Sequence, residues 1–224
     1  MDISTARSFS QKLQISIDYI IREEYEILLL KELFESEYGV SLVFKGGTAL
    51  RLVYNSPRFS EDLDFALIKE IDRKKFVNFI KNIGKKYPTV ISIEPTDKFY
   101  TIFALAKIKE DYLTRPFSIK IEVSKREGRW TKEKDYAELI IKSGVTPLTV
   151  LAQVASLERI IKEKEDALRN RKAARDIFDY WYINQLLKKK VKVNFMGYDK
   201  KHAKSELHKL LARPYWRIVD SWLE

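Results

Sequence analysis

The sequence predicts an α+β fold, with a lobe of strands and helices first and a helical lobe after it. Three features predict this. β-prone runs fall at residues 40–44, 62–65, 89–93, 99–108 and 117–123. Apolar residues recur at helical spacing before and between those runs, and again from Leu148 onward. A polar, less regular stretch at 128–144, closed by Pro147, separates the two patterns. The limit between lobes therefore falls near residue 145, giving a core lobe over 1–145 and a helical lobe over 146–224.

Residues 8–36 read as helix, broken at most once. Leu13, Ile17, Ile20, Ile21, Ile27, Leu30, Leu33 and Phe34 keep to helical spacing, and Ser10 can cap. Gly39 ends the region, and residues 40–44 form the first strand. Gly46 and Gly47 make a turn, from which a helix starting at Thr48 runs until Asn55-Ser56-Pro57 stops it. Arg58 to Glu61 form a loop leading into the strand that carries Asp62 and Asp64. An amphipathic helix over 71–86 buries Phe76, Phe79, Ile80 and Ile83, and Gly84 and Pro88 mark its end. In the run 117–123, Phe117, Ile119, Ile121 and Val123 take one face and Ser118, Lys120, Glu122 and Ser124 the other. Past the lobe limit, Val150, Val154, Leu157 and Ile161 form a helical packing stripe. Residues 158–176 are dense in charge and read as solvated helix faces, and Arg213 to Glu224 read as a final docking helix.

The chemistry concentrates between residues 45 and 64. Asp62 and Asp64 lie two apart on a strand, so both point the same way, roughly 7 Å apart. Two like charges on one face resist burial in a core. A divalent cation such as Mg²⁺ relieves the repulsion and can hold a polyphosphate. Gly46 and Gly47 remove Cβ atoms where a backbone must come close to something. A helix starting just after them aims free N–H groups at an anion. An anion site beside a carboxylate pair is what nucleotidyl transfer requires.

Lys45-Gly46-Gly47-Thr48-Ala49-Leu50, followed by Arg58-x-Ser60-x-Asp62-Leu63-Asp64-Phe65, resembles the AbiEii/AbiGii toxin family, a branch of the DNA polymerase beta-like nucleotidyltransferase superfamily. The resemblance implies a nucleotidyltransferase-like core, a mixed sheet flanked by helices, with a helical lobe behind it. It implies a third carboxylate on a strand after a hairpin, and Glu122 is the candidate; a Lys120/Glu122 pair on a wet strand face is the competing reading. Asp62, Asp64 and Glu122 are then the metal ligands, for Mg²⁺ or Mn²⁺, and catalytic residues with an NTP as donor. Lys45, Gly46, Gly47, Thr48, Arg58 and Ser60 are implied to contact the nucleotide. Arg171-x-x-x-Arg175-Asp176-x-x-Asp179-Tyr180 resembles the family's C-terminal signature. It makes Asp176 a fourth catalytic candidate and Arg175 a nucleotide contact, while an Arg/Asp network joining the lobes is an equal reading of Arg175 and Asp179. One departure stands out. The family places a lysine in a helix of the form Leu-Ala-x-Lys, and Leu151-Ala152-Gln153 is followed here by Val154, which leaves Lys162, Lys164 or Lys172 as substitutes.

The formal net charge of +10 over 224 residues favours a polyanionic partner. By the resemblance the first-choice acceptor is a tRNA 3′ end, and the chain is the toxin of a toxin–antitoxin pair with a possible antitoxin protein as partner. Two alternatives remain: a protein nucleotidylyltransferase, and an RNA- or protein-binding module that has lost turnover, the reading Val154 favours. No apolar run is long enough to span a bilayer, so no membrane partner is expected. The absence of cysteine excludes disulfides and suits a cytoplasmic chain. His202 and His208, six apart, do not share a helix face, so no histidine metal site is expected.

Overall fold

The computed structural model describes residues 1–126 and 128–224. Two helices open the chain, α1 (Ile3–Leu13) and α2 (Ile17–Phe34). The break between them falls at Gln14, whose left-handed φ of 52° caps α1. Asp2 starts α1 by accepting from the Ser4 and Thr5 amides, which satisfies two otherwise orphaned donors. Strand β1 (Leu42–Lys45) follows and turns directly into helix α3 (Gly46–Leu52), which begins two residues earlier than Thr48. Next come β2 (Asp62–Leu67), α4 (Arg73–Ile83), β3 (Val90–Asp97), β4 (Thr101–Ile108) and β5 (Phe117–Ser124).

The next two elements correct the sequence reading. Residues 136–143 form strand β6 (Tyr136–Ser143), where only irregular chain was expected. The segment from Leu148 is not helix but part of β7 (Thr146–Ala155), paired antiparallel to β6 and parallel to β1. The sheet thus extends ten residues past the expected lobe limit. Val150 and Val154 fit a four-residue spacing, but Val150, Ala152 and Val154 also alternate, and all three are buried while Leu151 between them is exposed. The helical lobe starts after Ser156, with α5 (Leu157–Asn170), α6 (Ala174–Leu186), α7 (Lys200–Leu210) and α8 (Trp216–Leu223).

The seven strands form one mixed sheet in the order β3-β4-β5-β2-β1-β7-β6. The β2–β5 and β1–β7 pairs are parallel and the others antiparallel. One face packs on α2 and α4 through Phe44, Leu63, Phe65, Ile119, Ile121 and Val123. On the other face Val43 and Ala66 meet Leu50, Ile160, Ile161 and Ile183, from α3, α5 and α6. Alternation along β2 therefore sends Leu63 and Phe65 into the main core and leaves Asp62 and Asp64 on the face shared with α3 and α5. The helical lobe has its own core, with Phe178, Trp181, Phe195 and Trp222 packed on one another. Trp181 and Tyr182 belong to this packing. Main-chain contacts tie the lobes together: the Phe59 amide donates to Leu210 O at 2.8 Å, and the Tyr182 hydroxyl donates to Tyr54 O at 2.8 Å. Among the described residues no helix is long and apolar enough to cross a membrane.

Candidate functional site

The register of the two central strands builds the site. β2 and β5 run parallel with Asp64 opposite Glu122 and Asp62 opposite Lys120. All four side chains leave the sheet on one face, since each pair is two residues apart on its own strand. The three expected carboxylates therefore meet on adjoining strands. The Lys120 ammonium comes with them, 3.0 Å from Asp62 Oδ2 and 3.5 Å from Glu122 Oε2. Glu122 leaves the sheet on the same face as the aspartates and is also paired with Lys120.

The diglycine turn explains itself by what lies against it. Gly46 sits at φ +80°, and a Cβ added there would lie 2.3 Å from Asp64 Oδ2. A Cβ on Gly47 would lie 2.3 Å from Arg58 Nη2 and 2.9 Å from Ser60 Oγ. The turn is bare because Asp64, Arg58 and Ser60 fold down onto it. Thr48 is fully buried, and its hydroxyl donates to Asp62 O, fixing the entry to β2. Lys45, opposite Asp64, reaches Glu163 on α5 at 2.8 Å. Asp64 has its pKa raised, chiefly because it is buried, and the Asp62 charge adds to this while Lys45 opposes it. Lys120 has its pKa raised: burial works against the charge, and Asp62, Asp64 and Glu122 outweigh it.

Behind this face lies a buried ionic network. Arg58 is 2 % exposed and grips Asp179 with two parallel bonds of 2.7 Å, from Nε to Oδ1 and from Nη2 to Oδ2. Its remaining nitrogen donates to Phe59 O at 2.8 Å. Lys164 on α5 lies 2.7 Å from Asp179 Oδ2 and 3.0 Å from Asp176 Oδ1. Arg171 closes the chain with Nε 2.7 Å from Asp176 Oδ2. Three cations meet two carboxylates, so the network keeps one surplus positive charge, and the Lys164 charge acts on Asp64. Burial alone would raise the Asp179 carboxyl, but Arg58 and Lys164 hold it down at about 2.

The structure does not place every expected residue at the open face. The Arg58 fork is spent on Asp179, and Asp176 is wholly buried between Lys164 and Arg171. Arg175 points elsewhere, to Glu206 at 2.8 Å. Lys45, Gly46 and Ser60 remain half-buried beside the carboxylates. Val154 is buried in β7 opposite Phe44, so it never occupies the helical position where a lysine was sought. Lys164 is the lysine that faces the Asp-bearing helix, and the sequence held a sign of it. It follows Ile160 and Ile161 by one turn, which places it on the buried side of α5. Lys120 was visible as a possible partner of Glu122, while its contact with Asp62 across the strands was not.

Asp62, Asp64 and Glu122 are oxygen donors of the kind a hard divalent cation takes, and in that respect the residues fit such an ion. Among the described residues no group of three or more His, Cys, Asp or Glu is closed up into a ligand cluster. The Lys120 ammonium lies between two of the three carboxylates.

Residues 28–211 match the profile of the family described as nucleotidyl transferase AbiEii toxin, type IV TA system. Three solved structures share the fold. JHP933 from Helicobacter pylori is 22 % identical with a TM-score of 0.57, over 86 % of this chain and 74 % of that one. A putative nucleotidyltransferase from H. pylori is 20 % identical with a TM-score of 0.54, over 92 % and 98 %. MenT4, a nucleotidyltransferase toxin from Mycobacterium tuberculosis H37Rv, is 18 % identical with a TM-score of 0.51, over 84 % and 62 %. No curated protein sequence matches the chain.

Proposed function

The chain belongs to the AbiEii family of nucleotidyl transferase toxins, and from that premise we propose that it moves a nucleotide from an NTP to an RNA, with a tRNA 3′ end as acceptor. The observation that carries this is the convergence of Asp62, Asp64 and Glu122 on one face of two adjoining parallel strands, beside a turn with no side chains.

Asp62, Asp64 and Glu122 would hold Mg²⁺ or Mn²⁺. Such an ion supplies charge against the triphosphate and makes an acceptor hydroxyl easier to deprotonate. The protein's own part is positioning. The glycine turn lets Asp64, Arg58 and Ser60 pack directly against the main chain, which holds these groups at the place where a phosphate chain would arrive. Lys45 offers a positive charge at the strand end once it leaves Glu163, and Ser60 a hydroxyl. The surplus charge of the Arg58–Asp179–Lys164–Asp176–Arg171 network favours an anion near Asp64 without touching it. Asp176 and Arg58 act here as positioning residues, holding α6 and the 58–60 loop against each other. An antitoxin protein is the partner that family membership implies.

The test is incubation with each labelled NTP, Mg²⁺ or Mn²⁺, and total tRNA, beside an Asp62→Asn/Asp64→Asn control. Label in RNA with the intact acids alone supports the proposal. Label in protein moves the acceptor to a side chain. Label in neither points to the binding module. That last alternative has lost the feature that favoured it, since Val154 belongs to the sheet.

A further inference from the structure

A concavity lies where the two lobes meet, and the carboxylates do not line it. It is a cavity of about 930 Å³ between the α1–α2 turn, the chain leading into β5, and the end of the helical lobe. Its volume is that of a ligand site, and contacts between lobes are a common place for one. The wall carries Arg22, Arg115, Lys209 and Arg213 against two acids, Asp18 and Glu61. Glu61 is already engaged, accepting from the Tyr19 hydroxyl and from Lys209, each at 3.2 Å. His208 also faces the cavity, but Asp220 takes its Nε2 at 2.8 Å. The wall therefore favours an anion.

Aromatic rings alternate with these charges. Phe117 lies under the Arg22 guanidinium, 5.0 Å from it, and Trp216 stacks on His208 with centroids 4.2 Å apart. Both rings are half-buried, so one edge of each stays open to the cavity. Arg22 donates to Ser118 O, while its buried Nε has no partner. Cations that track a backbone, interleaved with ring faces, are the surface a single-stranded nucleic acid recognises.

The location suits an acceptor. Glu61 immediately precedes Asp62, and Phe117 stands three residues before Lys120 on the strand that pairs with Asp62. That is roughly 10 Å along the strand, and because the two residues are an odd number apart Phe117 leaves the sheet on the α2 side, so the cavity opens past the leading ends of β2 and β5 and not on the carboxylate face itself.

We propose that this cavity takes the single-stranded end of the acceptor polynucleotide, with phosphates on Arg115 and Arg213 and bases against Phe117 and Trp216. The proposal rests on the reading of the chain as a transferase acting on RNA.

The test is an Arg115→Glu/Arg213→Glu variant of the full chain, in which both changed residues are exposed and the fold is kept. Binding of a fluorescent single-stranded RNA of roughly 12 nucleotides is followed by anisotropy across a salt series, and NTP binding is measured separately without RNA. The variant should bind the RNA at least about tenfold more weakly, with the slope of log K against log salt smaller by about two. NTP binding should be unchanged, and label transfer should recover at high RNA. Unchanged RNA binding overturns the proposal, and so does a loss confined to NTP binding, which assigns the cavity to the donor. If the variant labels RNA as well as the unmodified chain does, the cavity proposal falls and the transferase reading stands. If the unmodified chain labels protein and no RNA, both fall together.

Discussion

Surroundings decide what a side chain can do, and Arg58 is the clearest case. An arginine fork suits a phosphate, but it suits a carboxylate equally, and here Asp179 takes both of its prongs in a dry interior. Arg58→Ala leaves Asp179 buried with Lys164 as its remaining cation, so chemical denaturation should show a loss of about 3–5 kcal/mol. The pair also sets a pH limit. The Asp179 pKa of about 2 lies below the value of roughly 3.9 for an unfolded aspartate. Its stabilisation is therefore complete above the unfolded value and is lost as pH falls toward 2. Acid unfolding of the wild type should steepen in that window, and Asp179→Asn should flatten it. Lys120 makes a different prediction. It satisfies Asp62 and Glu122 as an internal cation, so an incoming metal ion must displace it. Lys120→Met should bind Mn²⁺ at least about tenfold more tightly in an RNA-free titration, a gain of about 1.4 kcal/mol. Equal affinity in the two proteins would show that Lys120 does not compete.

At the scale of elements, local pattern revealed most of the fold, and failed where two periods coincide. The first five strands were legible because turn residues bound them and their apolar residues alternate. One break within residues 8–36 was foreseen as a possibility, while its place at Gln14 and its left-handed geometry were not. β7 was misread because its buried valines also satisfy helical spacing. Pairing with β1 and β6 settles which period wins, and that is a long-range fact no local window contains. The same error made Val154 look like a missing lysine. Val154→Lys should therefore gain no activity. It buries an unpaired ammonium opposite Phe44 and should lower the melting temperature markedly, at a cost of several kcal/mol. The motif residues between 45 and 64 were legible because chemistry and spacing coincide there. An Arg/Asp network was legible only as an alternative reading of Arg175 and Asp179; that Arg58 is the arginine was not, because it joins Asp179 across 121 positions.

The whole molecule places one charged face between two lobes. The sheet supplies the carboxylates, Arg58 of the loop before β2 and Lys164 of α5 supply the buried cations, α6 supplies their aspartates, and main-chain bonds from the 58–59 loop to α7 hold the halves in register. A net charge of +10 surrounds this arrangement, so RNA association should weaken steeply with salt. Transfer of labelled nucleotide to total tRNA, compared between the wild type and Asp62→Asn/Asp64→Asn, measures what this arrangement is for. Label should appear in RNA with the wild type and fall at least about 100-fold in the double variant, which loses both carboxylates from the face while keeping the fold. Equal labelling by the two proteins would contradict a reaction carried by those carboxylates.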